Sequence, residues 1–321
     1  KNKPTALVLN FHGGAGSPDD QEIQSGMGMV SDRHGFIVVY PAGTGAKDDH
    51  KLFFNAGNVY GYAKANNVND VGFVEYLIDD MLKRFAIDRK RIFATGFSVG
   101  AKFCYLLAAR LSHLIAAIGP VSGTMALPLS EYAPNRCVPI IHFHGTLDPV
   151  NPYDGGSGLP LMEKIHGTPV YNNPVKEMVN HCIGAYECQK DSFRTLQKGH
   201  ALCETYGSGK ENSEVILWTL SGGGHTWPGA VDVPSLGYTT HQISATDLTW
   251  TFFAAHPMVP AAPAAVTAVM LVADKGAFRE INGVEGADIH ALLAEGADFR
   301  VPLDTHLAVT GHAAAALFPA V

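Results

Sequence analysis

In the stretch "IFATGFSVGAKF" (residues 92–103), Ser98 stands between Gly96 and Gly100. "RIFAT" before it is β-rich, and "AKFCYLLAARL" after it is helical, with Phe103, Leu106, Leu107 and Leu111 near one face. A GxSxG pattern between a strand and a helix forces a very tight turn that lifts the serine hydroxyl above the sheet, and the glycines remove side chains that would collide there. Ser98 is therefore expected to be a nucleophile. A serine hydroxyl is weak at neutral pH, so a histidine must take its proton and a carboxylate must fix that histidine's tautomer. In a scheme of this kind the acid and then the histidine follow the serine, each on a loop after a later strand. "PIIHFHGTLDPVNP" places Asp148 just beyond an apolar strand, and "EVILWTLSGGGHTWPG" places His225 beyond another, after a run of glycines. Asp148 before Pro149 could be a turn former and His225 a loop histidine, but both in the right order and place argue for a relay.

A tetrahedral intermediate needs backbone donors for its oxyanion. One expected donor is the amide of Val99, at the start of the helix after the serine. The other should come from "NFHGGAG" (residues 10–16), after an early strand, where glycines let the backbone approach a substrate; Gly14 is favoured, with Gly13 next, and His12 should brace the loop. His142 and His144 form an HxH pair without a carboxylate-rich companion, so buried, satisfied histidines are expected there and no metal. "GGAG" and "GTGAK" lack a GKS or GKT ending, which argues against nucleotide binding. The chemistry needs no cofactor.

These loops require a particular scaffold. "ALVLNF", "FIVVYP", "RIFATGF", "AIGPVSG", "PIIHFHG" and "EVILWTL" are almost continuously apolar, as strands buried on both faces of a parallel sheet are. Val74, Leu77, Ile78, Met81, Leu82 and Phe85 recur at helical spacing opposite Glu75, Asp79, Asp80 and Lys83. In "SATDLTWTFFAAH" (244–256) Leu248, Phe252 and Ala255 form a stripe, with Ser244 as N-cap. The expected fold is a doubly wound, mostly parallel α/β sheet over residues 1–257. From His256 the texture turns to Pro and Ala, which reads as a linker, and residues 258–321 form a small C-terminal α+β extension: a hairpin between Val266 and Ile281, then a helix "ADIHALLAEG". That segment has no Trp or Tyr and is too small for much stability unless it docks, with the sheet edge as one place for it.

The chain has 321 residues, 46% hydrophobic and 17% charged, with no apolar run long enough to span a bilayer. Its formal charge of -7, with no basic block, disfavours nucleic acid as a partner. Any secretion signal is expected to have been removed or to lie outside the sequence. Of the five cysteines, Cys104 lies in an apolar helix, while Cys182, Cys188 and Cys203 crowd a polar stretch where any of three pairings is open. A bridge there would suit an extracellular or periplasmic protein.

Four blocks, "LVLNFHGGAG", "DVGFVEYLIDDMLKRFAIDRKRIFATGFSVGAKF", "IIHFHGTLDPVNPYDGG" and "GGGHTWPG" with the subsequent "SATDLTWTFFAAHP", together resemble the polyhydroxybutyrate depolymerase and feruloyl esterase group of α/β-hydrolases, a carboxylesterase family that includes acetylxylan esterases. The resemblance runs from about Lys3 to Pro257, and "GGGHTWPG" is far more specific than GxSxG. It implies an α/β-hydrolase fold, Ser98, Asp148 and His225 as the triad, Trp227 lining the acyl or alcohol pocket, and secretion. The sequence departs from the group in three ways: "FFNAGNVYGYAKANNVND" lacks the vicinal cysteines and tryptophan often found there, it opens at the HGG strand without the N-terminal strands usual before it, and it carries a further C-terminal segment. The expected function is hydrolysis of aryl or short-chain esters, feruloyl or acetyl esters of polysaccharide among them, through an acyl-enzyme. Polyester depolymerisation is the first alternative; a serine peptidase or a catalytically silent binding protein on the same fold are the others. The expected partner is thus an ester substrate, polymeric in several of these readings, and neither nucleic acid nor membrane.

Overall fold

The computed structural model describes residues 3–47, 51–158, 170–189, 193–258, 268–274 and 277–284. Its strands in chain order are β1 (Thr5–Phe11), β2 (Ile37–Val39), β3 (Ile87–Phe97), β4 (Ala117–Val121), β5 (Ile140–Gly145), β6 (Gly156–Ser157), β7 (Tyr171–Asn172), β8 (Arg194–Lys198), β9 (Ala201–Tyr206), β10 (Val215–Leu220), β11 (Ala268–Asp274) and β12 (Ala277–Val284). The helices are α1 (Pro18–Ser25), α2 (Met27–His34), α3 (Tyr62–Ala65), α4 (Asp70–Arg84), α5 (Val99–Arg110), α6 (Val175–Ala185) and α7 (Ala245–Ala255).

Eight strands form one sheet in the order β2-β1-β3-β4-β5-β10-β9-β8. The first six run parallel, and they are the six apolar runs of the sequence. Side chains alternate across this sheet as strand geometry demands: Leu7, Leu9 and Phe11 face one core layer with Val74 and Ile78 of α4, Phe103 and Leu107 of α5 and Met178 of α6. Ala6 and Val8 face the other layer, with Met27 and Val30 of α2 and Phe252 and Phe253 of α7. Helices on both faces make the sheet doubly wound.

The helix ends obey local chemistry. Asn69 caps α4 by accepting the Gly72 amide at 3.0 Å, and Ser244 caps α7 by accepting the Asp247 amide at 3.2 Å. The inward face of α7 differs from the expected stripe: Ala255 is exposed and Leu248 half-buried, whereas Trp250 stacks on Phe36 (4.0 Å) and Phe253 on Phe93 (4.6 Å). Aromatic rings bury more area per residue than the aliphatic positions that would otherwise face inward, and they set the rotation of the helix.

The antiparallel pair β8–β9 extends the sheet beyond β10. All five residues of β8 are exposed, and its polar sequence "RTLQK" carries no hydrophobic periodicity. A two-stranded antiparallel hairpin, β11–β12, pairs Met270 with Ile281 and Asp274 with Ala277, in the region where a hairpin is expected. The chain divides into two compact units, Lys1–Val259 and Pro260–Val321. The helix expected over "ADIHALLAEG" lies outside the described residues. No helix among the described residues is long and apolar enough to cross a membrane.

Candidate active site

The registers Phe11↔Gly96, Phe97↔Val121, Val121↔Phe143 and Gly145↔Leu220 bring the C-terminal ends of β1, β3, β4, β5 and β10 to one level. Loops leaving those ends carry His12 to Gly14, Ser98, Asp148 and His225.

Ser98 joins β3 to α5 with φ 54° and ψ −113°, a positive φ that costs a non-glycine residue on the order of 1–3 kcal/mol. The flanking glycines make that turn possible: a Cβ on Gly96 would lie 2.7 Å from the Phe11 carbonyl oxygen, and one on Gly100 would lie 2.7 Å from the His12 carbonyl oxygen. The Ser98 amide donates to the Val121 carbonyl at 2.9 Å, tying the turn to β4. Val99 opens α5, so its amide belongs to the first turn, where N–H groups have no partner within the helix.

Gly13 and Gly14 pack against this turn, with a Cβ on Gly13 falling 3.4 Å from the Ser98 Cβ and one on Gly14 falling 3.0 Å from a Val99 methyl. His12 braces the loop as expected. Its Nε2 accepts the Gly43 amide at 3.0 Å, which leaves the hydrogen on Nδ1 to donate to the Gly13 carbonyl at 2.7 Å. That carbonyl also accepts the Gly16 amide at 3.1 Å. In a planar trans peptide the N–H of Gly14 points opposite to the carbonyl of Gly13. Clamping the carbonyl therefore fixes the direction of the Gly14 amide. Burial holds the His12 imidazole below its usual pKa, favouring the neutral form that this pair of bonds requires.

Asp148 and His225 meet: His225 Nδ1 is 2.8 Å from Asp148 Oδ2. The other carboxylate oxygen accepts the amides of Val150 and Asn151, both at 2.8 Å. Burial pushes the Asp148 carboxyl up, but the charge and hydrogen bond of His225, together with His144 and the Asn151 amide, outweigh burial and hold it below the usual range. The His225 ring lies 4.7 Å, centroid to centroid, from that of Phe97, the residue before Ser98. All three residues are nearly buried, at 6% exposure for Ser98 and 4% for Asp148 and His225, so charge developing among them would be poorly screened.

A seam of glycines joins the acid and histidine loops. A Cβ on Gly145 would fall 2.6 Å from the Gly224 carbonyl oxygen, and one on Gly224 would fall 2.6 Å from the Gly237 Cα. Across that seam the Leu147 amide donates to the Gly223 carbonyl at 2.9 Å and the His225 amide to the Leu236 carbonyl at 2.7 Å.

Two sequence expectations are corrected. Trp227 does not form an open pocket wall: it is 1% exposed, sits in the core layer with α7, and donates its indole N–H to Thr246 Oγ1 at 2.9 Å. A large ring with one donor is stably buried when that donor is satisfied, and here it supports the His225 loop from below. The expected cysteine bridge is also not formed, since all five cysteines are free. Cys203 faces the opposite core layer from Cys182 and Cys188, which removes it from any pairing with them, and Cys137 packs on the layer that those two share. Burial raises the Cys188 thiol to about 11 and the Cys182 thiol further.

Several residues around the site escape sequence reasoning. Ser122, with φ 52°, donates its hydroxyl to the Thr226 carbonyl at 3.1 Å and offers its own carbonyl to Asn151 Nδ2 at 2.7 Å, linking the histidine and acid loops. A Cβ on Gly123 would collide with the Ser98 carbonyl. Lys102 on α5 is buried with its ammonium on Asn172 Oδ1, and burial lowers it to about 8 against the attraction of Asp148. "PVSG" before a loop carries a turn signature, but nothing in it announces two cross-loop bonds.

Residues 3–132 match the family model described as "Esterase PHB depolymerase". The chain is 26% identical over 262 residues to a putative esterase, NocK, of Nocardia uniformis subsp. tsuyamanensis, covering 77% of this chain and 73% of that one. It is 27% identical over 227 residues to feruloyl esterase B of Piromyces equi, covering 70% of this chain and 40% of that longer protein. Among solved structures, an acetyl xylan esterase from Aspergillus awamori superposes with a TM-score of 0.54 at 16% identity, covering 78% of this chain and 89% of that one. The shared architecture is the α/β-hydrolase fold.

Proposed function

We propose that this chain, a relative of the polyhydroxybutyrate depolymerase and feruloyl esterase group of α/β-hydrolases, is a serine carboxylesterase whose catalytic residues are Ser98, His225 and Asp148. The 2.8 Å bond from His225 Nδ1 to Asp148 Oδ2, beside the strained turn at Ser98, carries this reading. With its Nδ1 hydrogen on the carboxylate, neutral His225 keeps a lone pair on Nε2, the atom a general base needs. Ser98 Oγ attacks the ester carbonyl carbon as its proton passes to His225, and the carbonyl π electrons move onto the oxygen. The amides of Val99 and Gly14 hold that oxyanion, with Gly13 as the neighbouring donor. When the tetrahedral species collapses, the C–O bond to the alcohol breaks and the alcohol leaves with the proton from His225. Water then attacks the acyl-enzyme by the same route, releasing the acid and restoring Ser98.

Ser98→Ala is expected to abolish ester hydrolysis, by about 10⁴-fold or more, while leaving the far-UV circular dichroism unchanged. Substantial turnover by a clean preparation of that variant would reject the assignment.

We place aryl and short-chain esters first among substrates, feruloyl and acetyl groups on polysaccharide included; kinship with a feruloyl esterase supports this. The family match over residues 3–132 supports polyester as the second reading. Methyl ferulate, acetylated xylan and polyhydroxybutyrate compared in one hydrolysis panel decide between them. Ester-bearing polysaccharide, the first substrate class, lies outside cells, and for that reason we propose that the protein works extracellularly or in the periplasm; the free thiols lend this no support. Running the panel on spent medium against cell lysate reads the compartment.

A further inference from the structure

Behind the acid lies a run of buried polar side chains that the proton relay does not use. His144 Nε2 is 2.7 Å from the carbonyl oxygen of Asn151, His144 Nδ1 is 3.0 Å from His142 Nε2, and His142 Nδ1 is 2.9 Å from the Tyr105 hydroxyl. Both histidines are wholly buried and Tyr105 nearly so. A carbonyl oxygen can only accept, so His144 must carry its hydrogen on Nε2. Its Nδ1 is then an acceptor, His142 must donate from Nε2, and the Nδ1 of His142 must accept from Tyr105. One arrangement of hydrogens therefore satisfies the whole run, Tyr105 to His142 to His144 to Asn151, with both rings neutral.

Asn151 connects this run to the site. Its amide donates to Asp148 Oδ1 at 2.8 Å and its side chain anchors on the Ser122 carbonyl at 2.7 Å, so fixing its carbonyl fixes the turn on which the carboxylate sits. His144 Nε2 is also 3.5 Å from Asp148 Oδ2, the oxygen that receives His225. As an imidazolium, His144 would compete with His225 for that oxygen. The groups facing His144 are His142 on its own strand, Lys102 on α5, Asp148 and Tyr153 after β5, and His225 after β10. Burial, Lys102 and His225 disfavour a charge on His144 while Asp148 and the Asn151 carbonyl favour it, and the balance lies on the neutral side. Protonating His144 would in addition require Nδ1 to give up the bond from His142.

We propose that Tyr105, His142 and His144 are positioning residues that hold Asp148, through the carbonyl of Asn151, in the orientation and charge state that His225 requires. The inference rests on the esterase reading of the site. The HxH pair that looks at first like a truncated metal motif is on this account a one-directional hydrogen-bond relay.

Histidine ¹⁵N NMR of the unsubstituted protein tests the relay without substrate. Both His142 and His144 should be Nε2–H tautomers and should take up a proton only below the ordinary imidazole range. An Nδ1–H tautomer, or a titration at or above the ordinary imidazole value, overturns the proposal. Activity supplies the second arm. His144→Leu removes the donor to Asn151 and should lower kcat about 10- to 100-fold with KM within about twofold. His144→Gln, whose Nε2 can still donate, should recover kcat to within about threefold of the unsubstituted protein. A His144→Leu enzyme with kcat within about twofold of the unsubstituted one, or a Gln variant as impaired as the Leu variant, would count against it. If His144→Leu fails to fold, the tautomers and the Gln variant still decide. Complete absence of ester hydrolysis by the unsubstituted protein would instead reject the esterase reading, a result that leaves the NMR outcome to judge the relay by itself.

Discussion

Lys102 sits one helical turn beyond Ser98 and is an ammonium that the fold keeps at a cost. Its pKa falls from 10.5 to about 8 because burial disfavours the charge more than Asp148 rewards it. A lysine depressed in the native state binds its proton less tightly there than in the unfolded chain. Unfolding therefore takes up protons between about pH 8 and 10.5, and stability rises with pH across that window. The shift corresponds to roughly 3 kcal/mol, absent at pH 7 and regained on the alkaline side. Urea unfolding at pH 7.5 and pH 10 should show the unsubstituted protein gaining stability relative to Lys102→Met; parallel behaviour of the two would show that the amine titrates normally. At this scale the sequence was most readable where a residue's spacing states its chemistry. Ser98 between its glycines, and Asp148 and His225 after strands, are legible because each must occupy a loop at the end of a particular strand. Lys102, Ser122 and Asn151 were not, because their importance lies in partners 29 to 104 positions away in the chain. Trp227 was misjudged because an aromatic beside a candidate histidine looks the same in sequence whether its ring faces substrate or core.

Among the elements, the His225 loop depends on what lies beneath it. Trp227 donates to Thr246 on α7, and the Thr246 hydroxyl in turn donates to the Ser25 carbonyl at 2.5 Å, at the end of α1. Two helices from distant parts of the chain thus anchor one loop. Truncating a fully buried tryptophan typically costs about 3–5 kcal/mol. Trp227→Ala should lose stability in that range by chemical denaturation and also lose turnover below the transition, since His225 is two residues away; Trp227→Phe should keep most of the packing but not the bond to Thr246. Full activity in the alanine variant would mean that the loop holds its shape unaided. The six parallel strands could be read from the sequence because burial on both faces leaves continuous apolar runs. Strands β8 and β9 could not, since the exposed edge strand "RTLQK" and its half-buried neighbour "ALCETY" lie where water replaces the second core layer and polar residues are free to enter.

At the scale of the whole molecule, every element that carries the site lies within Lys1–Val259. The last described residue of that unit, Met258, still donates its amide to the Lys90 carbonyl at 2.7 Å, so the unit's own bonding reaches at least that far. A chain stopped after Met258 should therefore fold and hydrolyse esters with kcat/KM within about threefold of the full chain. Loss of folding or activity would show that the C-terminal unit contributes to the enzyme. The change to Pro and Ala near His256 falls close to the division between the two units, whereas no residue of the C-terminal segment has a spacing that states a chemistry.

The seam where Gly145, Gly223, Gly224 and Gly237 touch backbone to backbone bears on how such a protein can change over generations. At Gly145, Gly224 and Gly237 even one added methyl group would meet main-chain atoms at 2.8 Å or closer and pry apart the Asp148 and His225 loops. Inherited variation is consequently shut out from a strip of bare main chain that takes no part in bond making.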